Sequence, residues 1–324
     1  MLFARRTGWT RLTFIFSKRN RCPVFLYPFY TLFYNPMISK STLLHLRIPF
    51  SFFLMPVFLF ALGISINPSG YRIVLTFIVL HLFIYPASNA YNSYFDKDEE
   101  SIGGLKHPPA VERDLYATSL VFDGAGILLA LCISRQFAVM VFIYGLISKA
   151  YSHPSIRIKK YPWLSWLIAG FFQGLFTFWM CYMALNHRGF DVILQADIFI
   201  PAVLTTLILM GFYPLTQIYQ HKEDKKRGDL TLSCLLGIRG TFVFSAAVFL
   251  IALPGFLVYF KWYFGWQLFY LFLLSIIPVL AFFSRWFLKA INNPAKADYS
   301  HTMRLSMISS LSLSTFFILL YFVK

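Results

Sequence analysis

The sequence predicts an all-α fold, a polytopic membrane bundle of nine transmembrane helices with a small cap built from loops 2/3 and 6/7, on three observations. First, 58% of its 324 residues are hydrophobic and 20% aromatic, while only 13% are charged, about half the charged share of soluble domains. Second, apolar stretches approaching the ~20 residues that a crossing helix needs recur at about 42–63, 71–91, 115–133, 136–150, 163–185, 196–218, 240–260, 265–284 and 303–322. Third, the basic residues alternate between the loops. With a cytoplasmic N-terminus, 24 of the 29 Lys and Arg fall on one face, the bias of the positive-inside rule.

Each element has a local justification. The fourth stretch is the shortest, so its ends are the least defined by pattern. Pro49, Pro56, Pro86, Pro201 and Pro254 sit inside spans, where neighbouring helices satisfy the carbonyls that proline frees. The formal charge of +16 fits nucleic acid in isolation, but so apolar a chain belongs in a lipid bilayer, and no nucleic acid is expected as a partner. Cys22, Cys132, Cys181 and Cys234 are scattered, which predicts neither a disulfide framework nor a zinc site. Residues 1–38 form a basic arm with Arg5, Arg6, Arg11, Lys18, Arg19 and Arg21 and no acid. The arm reads as a transit peptide, an unstructured tail, or an extension before a start at Met37. Residues 39–324 are the membrane domain.

Acids follow the same face as the bases: Asp96, Asp98, Glu99, Glu100, Glu112, Asp114, Glu223, Asp224, Asp229 and Asp298. The positive-inside rule explains lysines and not carboxylates, so that face needs carboxylates for another reason. The first cluster ends the second span. Asn92, Asp96 and Glu100 are spaced i, i+4, i+8, one stripe on a continued helix, and like charges so placed are tolerated where a cation sits between them. Magnesium, which takes a few carboxylates plus substrate phosphates, suits that arrangement; a solvated, charged helix end is the plainer reading of one cluster alone. The second cluster ends the sixth span, where Gln220 and Asp224 repeat the i, i+4 spacing and Gly228 can stop the helix. Two stripes on one face favour a site. Between them lies a basic loop, Lys149–Lys160, in which Arg157, Lys159 and Lys160 are membrane anchors or charge-assisted donors to a diphosphate. Lys106 and His107, after the Gly103-Gly104 turn, are candidates for the same work. Asp123 is an intramembrane acid, and Gln173 faces an acceptor or a neighbouring helix.

These residues resemble the UbiA superfamily of intramembrane prenyltransferases over about 42–322. Asn92, Asp96 and Glu100 match its first acidic motif, with Glu in the last place. Asp224, Gly228, Thr231, Leu232 and Gly237 match the second motif and its tail. Lys106-His107-Pro108, Tyr151, Ser152, Arg157 and Lys159, and Arg47 with Pro49, look like the family's remaining elements. The resemblance implies magnesium held by Asn92, Asp96, Glu100, Gln220 and Asp224, with Asp96, Glu100 and Asp224 catalytic. It implies a polyprenyl diphosphate bound by Asn92, Lys106, Tyr151, Arg157, Lys159 and Arg47, and a small acceptor, aromatic and quinone-precursor-like. Phe171, Phe172 and Phe176 either shield an allylic cation or, the plainer reading, face lipid or the core. No obligate protein partner is implied. Two departures bear on competence: Gln220 replaces an aspartate and Asp229 a basic residue. They leave open a diverged, non-catalytic carrier of an isoprenoid or other amphipathic metabolite. A phosphatidyl-alcohol transferase is disfavoured because Asp123-Gly124 stands without the rest of that pattern, and a transporter because the acids lie at helix ends.

Overall fold

The structure, a computed structural model, describes residues 38–324; the arm at 1–37, including the alternative start Met37 and Cys22, lies outside the described residues. Apart from one bridge between Ile102 and Leu105, regular structure among the described residues is helical. Eight helices are long and apolar enough to cross a membrane: α1 (Lys40–Ile64), α2 (Gly70–Asp96), α3 (Asp114–Leu131), α5 (Pro162–Asn186), α6 (Ala196–Gln217), α8 (Leu232–Phe264), α9 (Trp266–Asn292) and α10 (Tyr299–Val323). The stretch expected as the fourth span is α4 (Arg135–Ser152), helical over 18 residues. It stands apart from the eight because Arg135, Gln136, Lys149, Tyr151 and Ser152 dilute its apolar character. The short α7 (His221–Arg227) follows α6. The chain is an integral, multi-pass membrane protein.

Without water to exclude, helices in lipid associate through close packing and polar contacts. Phe60 of α1 stacks on Phe317 of α10 with centroids 4.4 Å apart, and Phe60, Phe178, Phe256, Tyr259 and Phe260 form an aromatic centre near it. On the α3/α4 side, the buried Asp123 pairs with Lys149, and Lys149 also lies 5.1 Å from the ring centre of Tyr91. That pair joins α3 to α4 and leaves Asp123 neutralised inside the bundle.

Two helices carry π-helical turns, over Ile78–Ile84 in α2 and Phe172–Phe176 in α5. Pro86 has no N–H to give and its ring crowds the carbonyl four residues back, so a widened turn just before it relieves α2. In α5 the Thr206 hydroxyl of α6 accepts from the Leu175 N–H at 2.7 Å. A Cβ on Gly174 would lie 2.5 Å from the Thr206 Cα, so only glycine permits that approach.

Candidate active site

The ends of α2 and α6 meet at one end of the bundle. α2 stops at Asp96, because Lys97 adopts a left-handed conformation (φ 49°) and its N–H bonds back to Ser93. The predicted helical stripe therefore does not reach Glu100. That residue lies beyond the helix and pairs with Lys222, the two side chains 43% and 81% exposed. Asp98 turns inward instead and pairs with Arg227. On the other side α6 ends at Gln217, and Gln220 caps α7 by accepting the Asp224 N–H through its backbone carbonyl at 2.9 Å. The Gln220/Asp224 spacing survives, carried by a separate short helix. Gly228 ends α7 with φ 74°, the left-handed stop expected of it.

Two left-handed arginines shape the rest. Arg47 (φ 47°) breaks α1 between Lys40–His45 and the 3₁₀ turn Ile48–Leu54, and donates to the Gly103 carbonyl at 3.1 Å and the Asn89 carbonyl at 3.1 Å. Arg157 (φ 48°) lies in the α4/α5 loop. Non-glycine residues are rare in this conformation and cost on the order of 1–3 kcal/mol each. Nothing in side-chain spacing signals it, so sequence reading missed both turns.

At the centre Arg157 grips Asp229 with two bonds, Nε to Oδ1 at 2.7 Å and an η-nitrogen to Oδ2 at 2.9 Å. Arg157 also lies 3.8 Å from Asp96. Lys159 pairs with Asp96 and sits 3.5 Å from Asp229. Arg227 meets Asp98, Glu223, Asp224 and Asp229, at 2.7 Å for Asp224 and 3.2 Å for Asp229. Asp96 and Asp224 thus join one network through shared cations. Asn92 donates from Nδ2 to Asp96 at 2.7 Å and to the Ser152 hydroxyl at 2.9 Å, which leaves its Oδ1 for a cation. The carboxylates of Asp96, Asp98, Glu223, Asp224 and Asp229 are all less than 10% exposed. Lys106 and His107 are exposed on the loop between α2 and α3, and Lys106 is held there by its carbonyl, which accepts from Ser101 at 2.8 Å.

Burial sets the electrostatics. It lifts the Asp224 carboxyl to about 7; the Thr231 hydroxyl, donating at 3.1 Å, and Lys159 oppose the rise, while Asp229 and Asp96 add to it. Asp229 goes the other way: burial pushes its carboxyl up, but Arg157, Lys159 and Arg227 overcome that and hold it below the usual range. The Arg157 guanidinium is correspondingly raised, chiefly by its hydrogen bond to Asp229.

Buried carboxylate oxygens are the right donors for a hard divalent ion. Five such acids face three cations within ion-pair distance, so acids outnumber bases in the cluster. In donor type and charge, magnesium fits. In arrangement the acids close on Arg157, Lys159 and Arg227, and among the described residues no three acids, histidines or cysteines converge at ligand geometry.

A cavity of about 270 Å³ opens between α1, α2, α5, α6 and α10, with α4 and α8 each adding a residue, and with Phe53, Phe60, Tyr85, Gln173, Tyr213 and Phe256 among its walls. Tyr213 ties it to the acids, because its hydroxyl bonds to that of Tyr151, the neighbour of the Ser152 that receives Asn92. Phe171, Phe172 and Phe176 are not among the residues lining it, whereas Gln173, presented by the π-turn, is. Tyr213 and Thr216 were legible as a polar pair in an apolar span, a signal the sequence reading did not use.

The sequence profile of the UbiA prenyltransferase family matches residues 25–308, and the chain belongs to that family. No curated protein matches. Among solved structures, the fold is similar to a UbiA homolog from Archaeoglobus fulgidus bound to GPP and Mg2+, with TM-score 0.63 and 17% identity over 88% of this chain and 100% of that one. It is similar to an apo UbiA homolog from Aeropyrum pernix K1, with TM-score 0.65 and 16% identity over 83% and 97%. A third likeness is to digeranylgeranylglyceryl phosphate synthase, with TM-score 0.54 and 17% identity over 86% and 98%.

Proposed function

We propose that this protein transfers a prenyl group from a polyprenyl diphosphate to a small, quinone-precursor-like acceptor in a magnesium-dependent reaction. The observation that carries the reading is a buried carboxylate cluster linked through Tyr151 and Tyr213 to an apolar cavity, in a chain of the UbiA prenyltransferase family. The fold it shares with a homolog bound to GPP and Mg2+ supports the choice of donor. Asp96 and Asp224 would hold the metal, aided by the oxygens of Asn92 and Gln220, with Glu100 at the outer edge. Magnesium, when bound, supplies Lewis-acid stabilisation of the departing diphosphate.

The remaining steps belong to the chain. Lys159 and Arg157, held against Asp96 and Asp229, exchange carboxylate for diphosphate oxygens as the leaving group develops charge. Arg47 steadies the adjoining loop and, with Lys106 and Tyr151, borders the same diphosphate. Phe53, Phe60 and Phe256 keep water from the allylic cation and face it with their rings. The N-terminus and site are assigned to the cytoplasmic face, or to the matrix face if the arm is a transit peptide.

Purified protein given geranylgeranyl diphosphate and Mg2+ should release diphosphate only when an acceptor is present, and EDTA should stop it. Absence of metal-dependent turnover with short and long donors overturns the enzyme reading. It would favour a non-catalytic isoprenoid carrier, for which the closed ion pairs of Arg157, Lys159 and Arg227 and the uncharged Gln220 already speak.

A further inference from the structure

Gln173 lies well inside the membrane-spanning part of α5, about 16 Å along the helix from Pro162 at the ordinary helical rise. An amide at that depth needs a hydrogen-bond partner, and a neighbouring helix is the usual one. The polar side chains around it have theirs. Trp166 donates to the Met210 carbonyl at 2.9 Å, Thr205 to the Pro201 carbonyl at 2.7 Å and Thr206 to the Ala202 carbonyl at 3.1 Å. The Gln173 amide has no hydrogen-bond partner among the described residues, and the side chain is half-buried in the wall of the cavity. It is not sealed in the packing, unlike the unpartnered hydroxyls of Tyr85 and Ser88.

The backbone that presents this amide is held on both sides. The Thr177 hydroxyl donates to the Phe172 carbonyl at 2.6 Å, just before Gln173. Just after it, the Leu175 N–H is taken by the Thr206 hydroxyl, and Gly174 packs directly against the Thr206 backbone. Two threonines and a glycine thus fix a π-turn, a rare irregularity that concentrates at functional sites. What the turn offers the cavity is one free amide. Rigid support of this kind is what a binding group requires.

The donor cannot be its partner. A prenyl chain has no hydrogen-bonding group, and the diphosphate belongs with Asn92, Arg157 and Lys159 at the other end of the cavity. Asn89, a second half-buried amide in the lining, is one turn from Asn92 and can serve the diphosphate; Gln173 lies too deep. We infer that Gln173 hydrogen-bonds the acceptor, receiving a hydroxyl or carbonyl group on its ring and so fixing how the ring sits beside the donor. The amide presents a carbonyl and an NH2 side by side, which matches either group. The inference rests on the reading that this cavity holds both substrates.

The test compares 1,4-dihydroxynaphthalene with naphthalene, which has the same rings and no polar group. Binding to the purified full chain is measured by calorimetry without donor or metal, and prenylation separately with geranylgeranyl diphosphate and Mg2+. Gln173→Met keeps the length of the side chain and removes the amide. It should weaken binding of the diol about three- to tenfold and leave that of naphthalene and of geranylgeranyl diphosphate unchanged. Its Tm without ligand should equal or exceed that of wild type, because no bond inside the bundle is lost. A Tm several degrees lower would show that the amide joins helices and overturns the inference. So does unchanged affinity for the diol, an equal loss for both compounds, or failure of the diol to bind wild type. Selective loss of the diol in a protein that shows no metal-dependent transfer upholds the ligand site at Gln173 and removes the enzyme reading.

Discussion

The two acidic segments build two kinds of ion pair a few residues apart. Glu99 and Glu100 reach across to Lys226 and Lys222 on the surface, with side chains between 43% and 81% exposed. Asp96 and Asp98, from the same stretch, meet Lys159 and Arg227 with side chains no more than 14% exposed. The outer pairs lie in solvent, where attraction is weak and screened. The inner ones lie where each uncompensated charge is costly and a cation is strongly sought. One backbone feature divides them: the left-handed Lys97 that ends α2 and turns Asp98 inward.

The largest effect expected of that division is on catalysis. Asp96→Asn keeps the shape of the inner cluster and removes a charge contacted by Lys159 and, at 3.8 Å, by Arg157. Release of diphosphate from geranylgeranyl diphosphate should fall by about 10²–10³-fold, with the circular-dichroism spectrum unchanged. Full activity in the variant would take Asp96 out of the mechanism.

The next expectation concerns pH. The Asp224 carboxyl is raised from 3.8 to about 7 in the fold, chiefly by burial. Below pH 4 it is protonated both folded and unfolded and contributes nothing. Between pH 4 and 7 the unfolded chain releases the proton while the fold keeps it, so stability falls as pH rises, and the loss is complete above 7. In EDTA, Asp224→Asn should therefore match wild type near pH 4 and exceed it at pH 8 by about 2–4 kcal/mol, read from unfolding midpoints in detergent. An equal difference at both pH values would show that burial of this charge is not the cause.

Asp229 makes the opposite case. Its carboxyl is held low by Arg157, Lys159 and Arg227, so it contributes stability above pH 4 that is lost only as pH falls below the usual carboxylate range. Asp229→Ala leaves Arg157 without its bidentate partner, and the fold should lose about 3 kcal/mol at pH 7. A thermal shift of less than a degree would mean that Arg157 finds another partner at no cost.

The sequence carried the fold further than the site. Hydropathy placed every long helix, including α4, because lipid demands length and apolarity that a window can count. The pairing of the two clusters was also legible, since Asp96 and Asp224 follow spans that end on one face. What spacing did not convey was local backbone. A continued helix would have put Glu100 in line with Asp96, but the stop at Lys97 depends on one dihedral angle that a lysine rarely adopts. Asp229 stood out only as a departure from the family's basic residue, nothing in the spacing singled out Arg227, and only tertiary contact makes them the hub. The cavity was hidden for a related reason: its polar lining comes from single residues on several helices, two of them, Tyr85 and Gln173, beside or within π-turns that helical periodicity does not register.

The smallest expected effect tests the division at its boundary. Glu100 occupies the last place of the acidic motif yet sits outside the helix against Lys222, while Asp98, outside the motif, is buried against Arg227. If position in the cluster governs function, Glu100→Gln should change diphosphate release by about twofold or less, because the exposed pair it breaks is screened by water and salt. Asp98→Asn should cost about tenfold or more, since it unbalances the arginine that also holds Asp224 and Asp229. The reverse order would mean that substrate binding draws Glu100 inward, extending α2 past Lys97 to complete the stripe. A pair of spin labels at Glu99 and Lys225 would then report a shortened distance on adding donor and Mg2+, whereas an unchanged distance with the expected order keeps Glu100 among the surface pairs.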